Sequence, residues 1–213
     1  MKTVSFLFGL LLVILNNNVQ AQICRTSNIS KLLEASEKDK TQKIERLAAK
    51  KFHKILNDYR IKNKLEAIAW DEAAWDEAAW LTARNHNYWM NANATLSHEE
   101  KKGTRCYSGT EPGDRYKYAT SGKGSAHWSG ENILYHFEIE GKNINDIASK
   151  IAANSFKMWK ASPGHNQNML GDSHKAHGLA FCISKEGMVY GTDLFVSSID
   201  EQFVLAKKNT KKE

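Results

Sequence analysis

The chain has 213 residues, 41% of them hydrophobic, with 30 Lys and Arg against 24 Asp and Glu for a formal charge of +6. Of that excess Lys2 carries one, and the tail residues Lys207, Lys208, Lys211 and Lys212 against Glu213 carry three, so residues 22–206 hold only +2. The length suits one domain with a sizeable core, and the near-neutral body excludes a dedicated nucleic-acid face.

The first residues read as a secretory signal: Lys2 is the positive start, Phe6 to Leu15 the apolar stretch, and Val19-Gln20-Ala21 a small-residue cleavage site. The apolar stretch is too short for a spanning helix, and nothing later approaches the ~20 apolar residues a span needs. The expected organisation is a signal peptide over 1–21, a charged lead-in over 22–43, one domain over 44–200 and a basic tail over 201–213. The mature protein is then soluble and secreted, extracellular or periplasmic, and its tail is a solvated end with at most a weak hold on anionic surfaces.

The lead-in becomes helical towards its end. Ala48, Phe52, Ile55, Leu56 and Tyr59 then recur at helical spacing and line one face of a helix that ends near Asn63. Next, Trp70-Asp71-Glu72-Ala73-Ala74 is repeated at once as Trp75-Asp76-Glu77-Ala78-Ala79. Five helical residues leave a rotation of about 140°, so the two tryptophans cannot share a face. Residues 91–129 are rich in Gly, Ser, Thr and charge, a long irregular stretch of the kind that more often carries function than not.

Asn145 is placed to cap a helix running to Trp159, with Ile147, Ala148, Ile151, Ala152, Ser155 and Trp159 as its buried stripe. Ser162-Pro163-Gly164 stops it. At the end of the domain His177, Leu179, Phe181 and Ile183 alternate with Gly178, Ala180, Cys182 and Ser184. Glu186-Gly187 makes a turn, and Met188 to Val196 returns as the second arm of a hairpin.

Three cysteines, Cys24, Cys106 and Cys182, stand far apart without close CxxC spacing, which argues against a cysteine metal site. The odd count leaves one unpaired or bonded between chains. Cys24–Cys106 is the favoured pair, and Cys182 lies in the alternating strand pattern, where a thiol serves as a small apolar side chain.

Four segments occur in order: Asn57-Asp58-Tyr59-Arg60, Ser97-His98, Gly130-Glu131-Asn132-Ile133-Leu134, and Ser162-Pro163-Gly164-His165-Asn166-Gln167-Asn168-Met169-Leu170. Together they resemble the CAP superfamily of cysteine-rich secretory, antigen 5 and pathogenesis-related 1 proteins. The likeness is nearest to the bacterial branch, where a Trp is soon followed by Ser-Pro-Gly-His, and it spans roughly Leu47 to Val196. The resemblance implies a three-layer α-β-α sandwich with a small antiparallel sheet. It also implies that one copy of the repeat is an insertion, with Asp76 as the helix cap, and that a short helix begins at Pro112-Gly113-Asp114-Arg115.

The same likeness implies a cleft formed by His98, Glu131 and His165. Two imidazoles and a carboxylate are a candidate set of ligands for Zn²⁺ or another divalent cation, with a position left for water. Many members carry a second cleft glutamate three residues after the helix tryptophan. Here Ser162 stands there, which removes the obvious general base and leaves Glu131 as the one catalytic candidate. The alternative role for the trio is a hydrogen-bond network that closes the loops onto the sheet.

Three functions follow as expectations. The first is a secreted CAP-domain protein whose cleft binds an extracellular ligand, a protein partner or a metal without turnover. The second is a metal-dependent, peptidase-like hydrolase using the same residues. The third is a sterol or lipid module, with Tyr107, Tyr116, Tyr118, Trp128 and Tyr135 lining a groove or, more simply, forming a lid. His127 is expected at a rim, His174 and His177 in a solvated loop, and His53 and His86 on helices as surface or satisfied core groups. Ser97, Ser125, Ser129 and Ser162 lie near histidines, but no Gly-x-Ser-x-Gly elbow or triad order supports a serine nucleophile.

Overall fold

The computed structural model describes residues 39–69, 76–122, 126–137 and 140–199. The expected signal peptide, most of the lead-in, the basic tail, Trp70, Trp75 and Cys24 lie outside the described residues. Five helices and three strands follow in order: α1 (Lys40–Lys62), α2 (Asp76–Ala92), α3 (Pro112–Ala119), β1 (Ala126–Phe137), α4 (Ile144–Ala161), α5 (Pro163–Met169), β2 (Ala176–Ile183) and β3 (Met188–Ile199). The strands form one antiparallel sheet in the order β1-β3-β2.

Helix α1 starts where the side chain of Asp39 accepts a 2.9 Å hydrogen bond from the Gln42 amide, satisfying a donor the first turn leaves open. It buries Ile44, Ala48, Ala49, Phe52 and Leu56 against α4 and one face of the sheet, where Leu134, Leu179, Phe181, Val189 and Phe195 meet them. Phe52 sits edge-on to Trp159 at 5.1 Å, a ring geometry that adds to area burial. Helix α2, described from Asp76 onward, covers the opposite face. There Trp80 and Leu81 pack on Ala180 and Leu194, and Trp89 and Met90 on Ile133, Cys182 and Tyr190.

The alternation in β2 therefore sorts large from small side chains, since both of its faces are buried. Leu179 and Phe181 fill the α1–α4 side, while Gly178, Ala180 and Cys182 let α2 approach. A Cβ on Gly178 would lie 2.2 Å from the carbonyl carbon of Ala79, so no larger residue fits there. The sandwich expected from the sequence is the fold observed.

Two boundaries differ from expectation. Asn143, and not Asn145, caps α4, accepting 3.0 Å from the Asp146 amide, because the cap needs a donor three residues on in the first turn. Ser162-Pro163-Gly164 ends α4 as read, but it also opens α5, since proline at the first helical position has no amide to satisfy. Cys106 is disulfide-bonded and Cys182 is a free, buried thiol. Cys24, the expected partner of Cys106, is outside the described residues. Among the described residues no helix is long and apolar enough to cross a membrane.

Candidate functional site

The residues just before α5 and along it tie the motifs together. The Tyr59 hydroxyl lies 3.0 Å from the Asn166 side-chain oxygen. Arg60, buried one residue on, donates to the carbonyls of Met169 at 2.8 Å and Gly171 at 2.9 Å. From β1, Asn132 Nδ2 donates to the His165 carbonyl at 3.0 Å, and Asn168 returns a 2.9 Å bond to Asn132 Oδ1. Gly130 makes this approach feasible, because a Cβ there would meet the Asn168 side chain at 2.9 Å. His165 is thus positioned through its backbone, and its ring stays half-buried.

The second half of the site is an ion network. His98 Nδ1 and Glu131 Oε1 are 2.8 Å apart, and the carboxylate's Oε2 accepts a short hydrogen bond from Arg115 Nη2. The other arm of the same guanidinium, Nη1, donates to the His98 carbonyl at 2.7 Å and to the Thr110 carbonyl at 3.2 Å. Arg115 therefore clamps the loop carrying His98 to the strand carrying Glu131, with a fork geometry that lysine lacks. The Arg115 side chain is fully buried and that of Glu131 is 7% exposed, whereas that of His98 is 55% exposed. The carboxylate is a floor, and the imidazole is the surface.

The titration behaviour follows from this layering. Burial pushes Glu131 up, but the hydrogen bond from His98 and the Arg115 charge outweigh it and hold the carboxyl below its ordinary value. His98 is raised, chiefly by its hydrogen bond to Glu131, so it charges more readily than a free imidazole. His165 is lowered by burial and by the nearness of His98. The last effect is the one that couples the third member of the trio to the other two.

Behind this network lies a pair that the sequence did not single out. Glu100 is buried, faces His86 Nδ1 at 3.0 Å, and accepts from the Ser108 and Gly109 amides at 2.6 and 3.3 Å. Burial raises Glu100 to about 7 and lowers His86 to about 3. His86 is thus a core group, stacked on Trp89 with ring centroids 5.6 Å apart.

Both oxygens of Glu131 are engaged, and among the described residues no group of three or more His, Cys, Asp or Glu side chains is arranged to hold a metal ion. Among the described residues, His98, Glu131 and His165 are thus not arranged as a three-ligand Zn²⁺ site. Ser162 sits between α4 and α5 without a side-chain cap bond. Of the aromatic residues of this region, Tyr116 is buried edge-on to Trp128 at 5.3 Å, while Tyr118 and Tyr135 are 39% and 47% exposed.

The expectation of a solvated His174–His177 loop is overturned. His174 is buried against Phe195, with Ser129 Oγ 2.7 Å from its Nδ1 and the Asn168 carbonyl 2.6 Å from its Nε2. His177 is fully buried, with Nδ1 2.7 Å from Asp193 and Nε2 2.8 Å from His53 Nδ1. Strand pairing with β3 carries these side chains inward, and no local polarity signal announces that. His136 faces Ser155 Oγ at 3.1 Å, a contact between sheet and α4. Arg115, which the sequence placed at the start of a short helix, is shown only by the fold to be buried against Glu131.

The fold and these four motifs define a CAP domain. The chain matches the cysteine-rich secretory protein family, CAP, over residues 53–198, and it belongs to that family. Among solved structures it is similar to an outer surface protein from Borrelia burgdorferi. That match has 17% identity and a TM-score of 0.49, covering 70% of this chain and 91% of that one. No curated protein matches the chain.

Proposed function

We propose that this CAP protein is a secreted binding module, and that its cleft takes an acidic or hydrogen-bond-accepting group of an extracellular ligand or partner, without turnover. The observation that carries the reading is the exposed His98 ring held by a buried carboxylate that is itself locked by Arg115. Such an imidazole is oriented before any ligand arrives, so binding loses little rotamer freedom. With Arg115 and Glu131 compensating each other, protonation of His98 leaves the site net positive, which favours an anionic partner at lower pH.

Each Glu131 oxygen already accepts a hydrogen bond, and Ser162 supplies no carboxylate in its place. The metal-dependent hydrolase is the rival reading, and it would have Glu131 exchange a present hydrogen-bond partner for the cation or its water.

Acetate serves as the simplest acidic probe. It should shift the His98 ring resonances at about pH 6 more than at about pH 8, as expected for an imidazole that charges across that range, and should not do so in Glu131→Gln. Zinc is then titrated into the protein by calorimetry while peptide and ester turnover is followed with and without chelator. Turnover lost both to the chelator and in Glu131→Gln would replace the binding module by the hydrolase. Metal uptake without turnover would retain a binding role and make the cation its ligand.

A further inference from the structure

A second cavity lies away from the His98–Glu131 cleft, where the start of α1, the end of α2, the Arg105–Cys106 loop and the β2–β3 turn meet. Its volume is about 380 Å³, within the range of small-molecule sites. Asp39, Arg105, Lys185 and Glu186 stand exposed at its rim, and Tyr88, Asn91 and Ile183 line it further in. Glu45 is the buried charged group of the wall, at 7% exposure.

The environment of Glu45 is unusual for a carboxyl at that depth. Among the described residues it receives one hydrogen bond, 2.7 Å from the Ile183 amide to Oε1, and it has no ion-pair contact. The nearest charge acting on it from the core, Arg84, instead lies over the Tyr88 ring at 4.3 Å and donates to the Tyr88 hydroxyl at 3.2 Å. Buried carboxyls are ordinarily paired or fully hydrogen-bonded. Nothing in the His98 cleft uses this one.

We propose that the cavity is a second ligand site, independent of the cleft, for a small molecule bearing an organic ammonium group that pairs with Glu45. The carboxylate supplies the charge, and the Tyr88 and Asn91 side chains supply acceptors for the remaining N–H groups. A short apolar stem would lie against Ile183 and Ala92. Anions are disfavoured at the floor by Glu45, while the rim, with Asp39 and Glu186 against Arg105 and Lys185, is balanced.

Without a ligand, burial pushes Glu45 up to about 8, opposed by the Ile183 amide and Arg84 and reinforced by Asp39. The other groups facing this cavity or acting on Glu45 are Tyr88 on α2, Cys182, Lys185 and Glu186 on the hairpin, and Arg105 on the loop. An ammonium ligand therefore displaces the Glu45 proton at neutral pH. Its apparent affinity should fall about tenfold per pH unit below 8 and level off above it.

The test titrates n-butylammonium chloride into the purified protein and follows the amide resonances of Ile183 and Tyr88, with butyrate and n-butanol as controls. Saturable shifts are expected for the ammonium, at least about tenfold stronger than for either control. They should weaken about tenfold or more in Glu45→Gln, which keeps the acceptor for the Ile183 amide, and should be unchanged in Glu131→Gln. Calorimetry in two buffers of different ionisation enthalpy should show proton release. Shifts that do not saturate, that butyrate reproduces, or that persist in Glu45→Gln overturn the proposal, as does affinity independent of pH between about 6 and 8. None of these outcomes bears on the cleft.

Discussion

Of the three imidazole–carboxylate pairs among the described residues, two have nearly equal geometry and opposite surroundings. His98 meets Glu131 at 2.8 Å in the cleft, and His177 meets Asp193 at 2.7 Å in the core. The cleft imidazole is 55% exposed, whereas both side chains of the core pair are fully buried. In the core His177 passes its second nitrogen to His53, and Asn57 then ties His53 to the backbone of Ile68. That chain latches the segment after α1 to the sheet. Distance alone does not separate a solvent-facing histidine from a buried structural one; access to water does.

The largest expected effect follows from emptying the core pair. His177→Leu leaves the Asp193 carboxylate buried, with Oδ2 already lacking a partner among the described residues. It should cost about 3–5 kcal/mol in chemical denaturation. His98→Gln, by contrast, should cost less than about 1 kcal/mol, because an exposed pair gains little over its hydration, while abolishing the acetate response. Equal losses at the two sites would break the comparison.

The smallest effect, and the sharpest, is the opposite sign of the two titrations. Burial and the neighbouring His177 lower His53 to about 4, so the unfolded chain binds more protons between about pH 4 and 6.5. The contribution of His53 to stability there rises with pH. His98 is raised, so the folded chain holds its proton longer, and its contribution is full below about 6.5 and lost as pH rises through the folded value. Denaturation midpoints of wild type and His98→Gln should draw together as pH rises through this range, because only wild type has the His98 contribution to lose, while the raised Glu45 and Glu100 carboxyls and the lowered His53 give both proteins the same background.

Much of this was legible in the chain. The hydrophobic period placed α1 and α4, the turn at Glu186-Gly187 placed the hairpin, and the four motifs named two residues that touch, His98 and Glu131, with a third coupled to them. The misreadings share a cause. His174 and His177 are polar residues in a segment of loop-like composition, and each is buried by partners remote in sequence: Ser129 and Asn168, and Asp193. Strand β1 runs through a Gly- and Ser-bearing stretch, with its register set by β3 and irregular between His127 and Gly130, so its composition gave no period to read.

The sequence by itself determined the family, the element types and the small residues that let α2 lie close to β2, because those properties depend on neighbours a few positions away. Only the tertiary structure decided which charges face water and which face one another. Burial is a property of the whole packed chain, and it is burial that made Glu131 a floor, His98 a contact surface, and Glu45 a carboxyl without a counter-ion among the described residues.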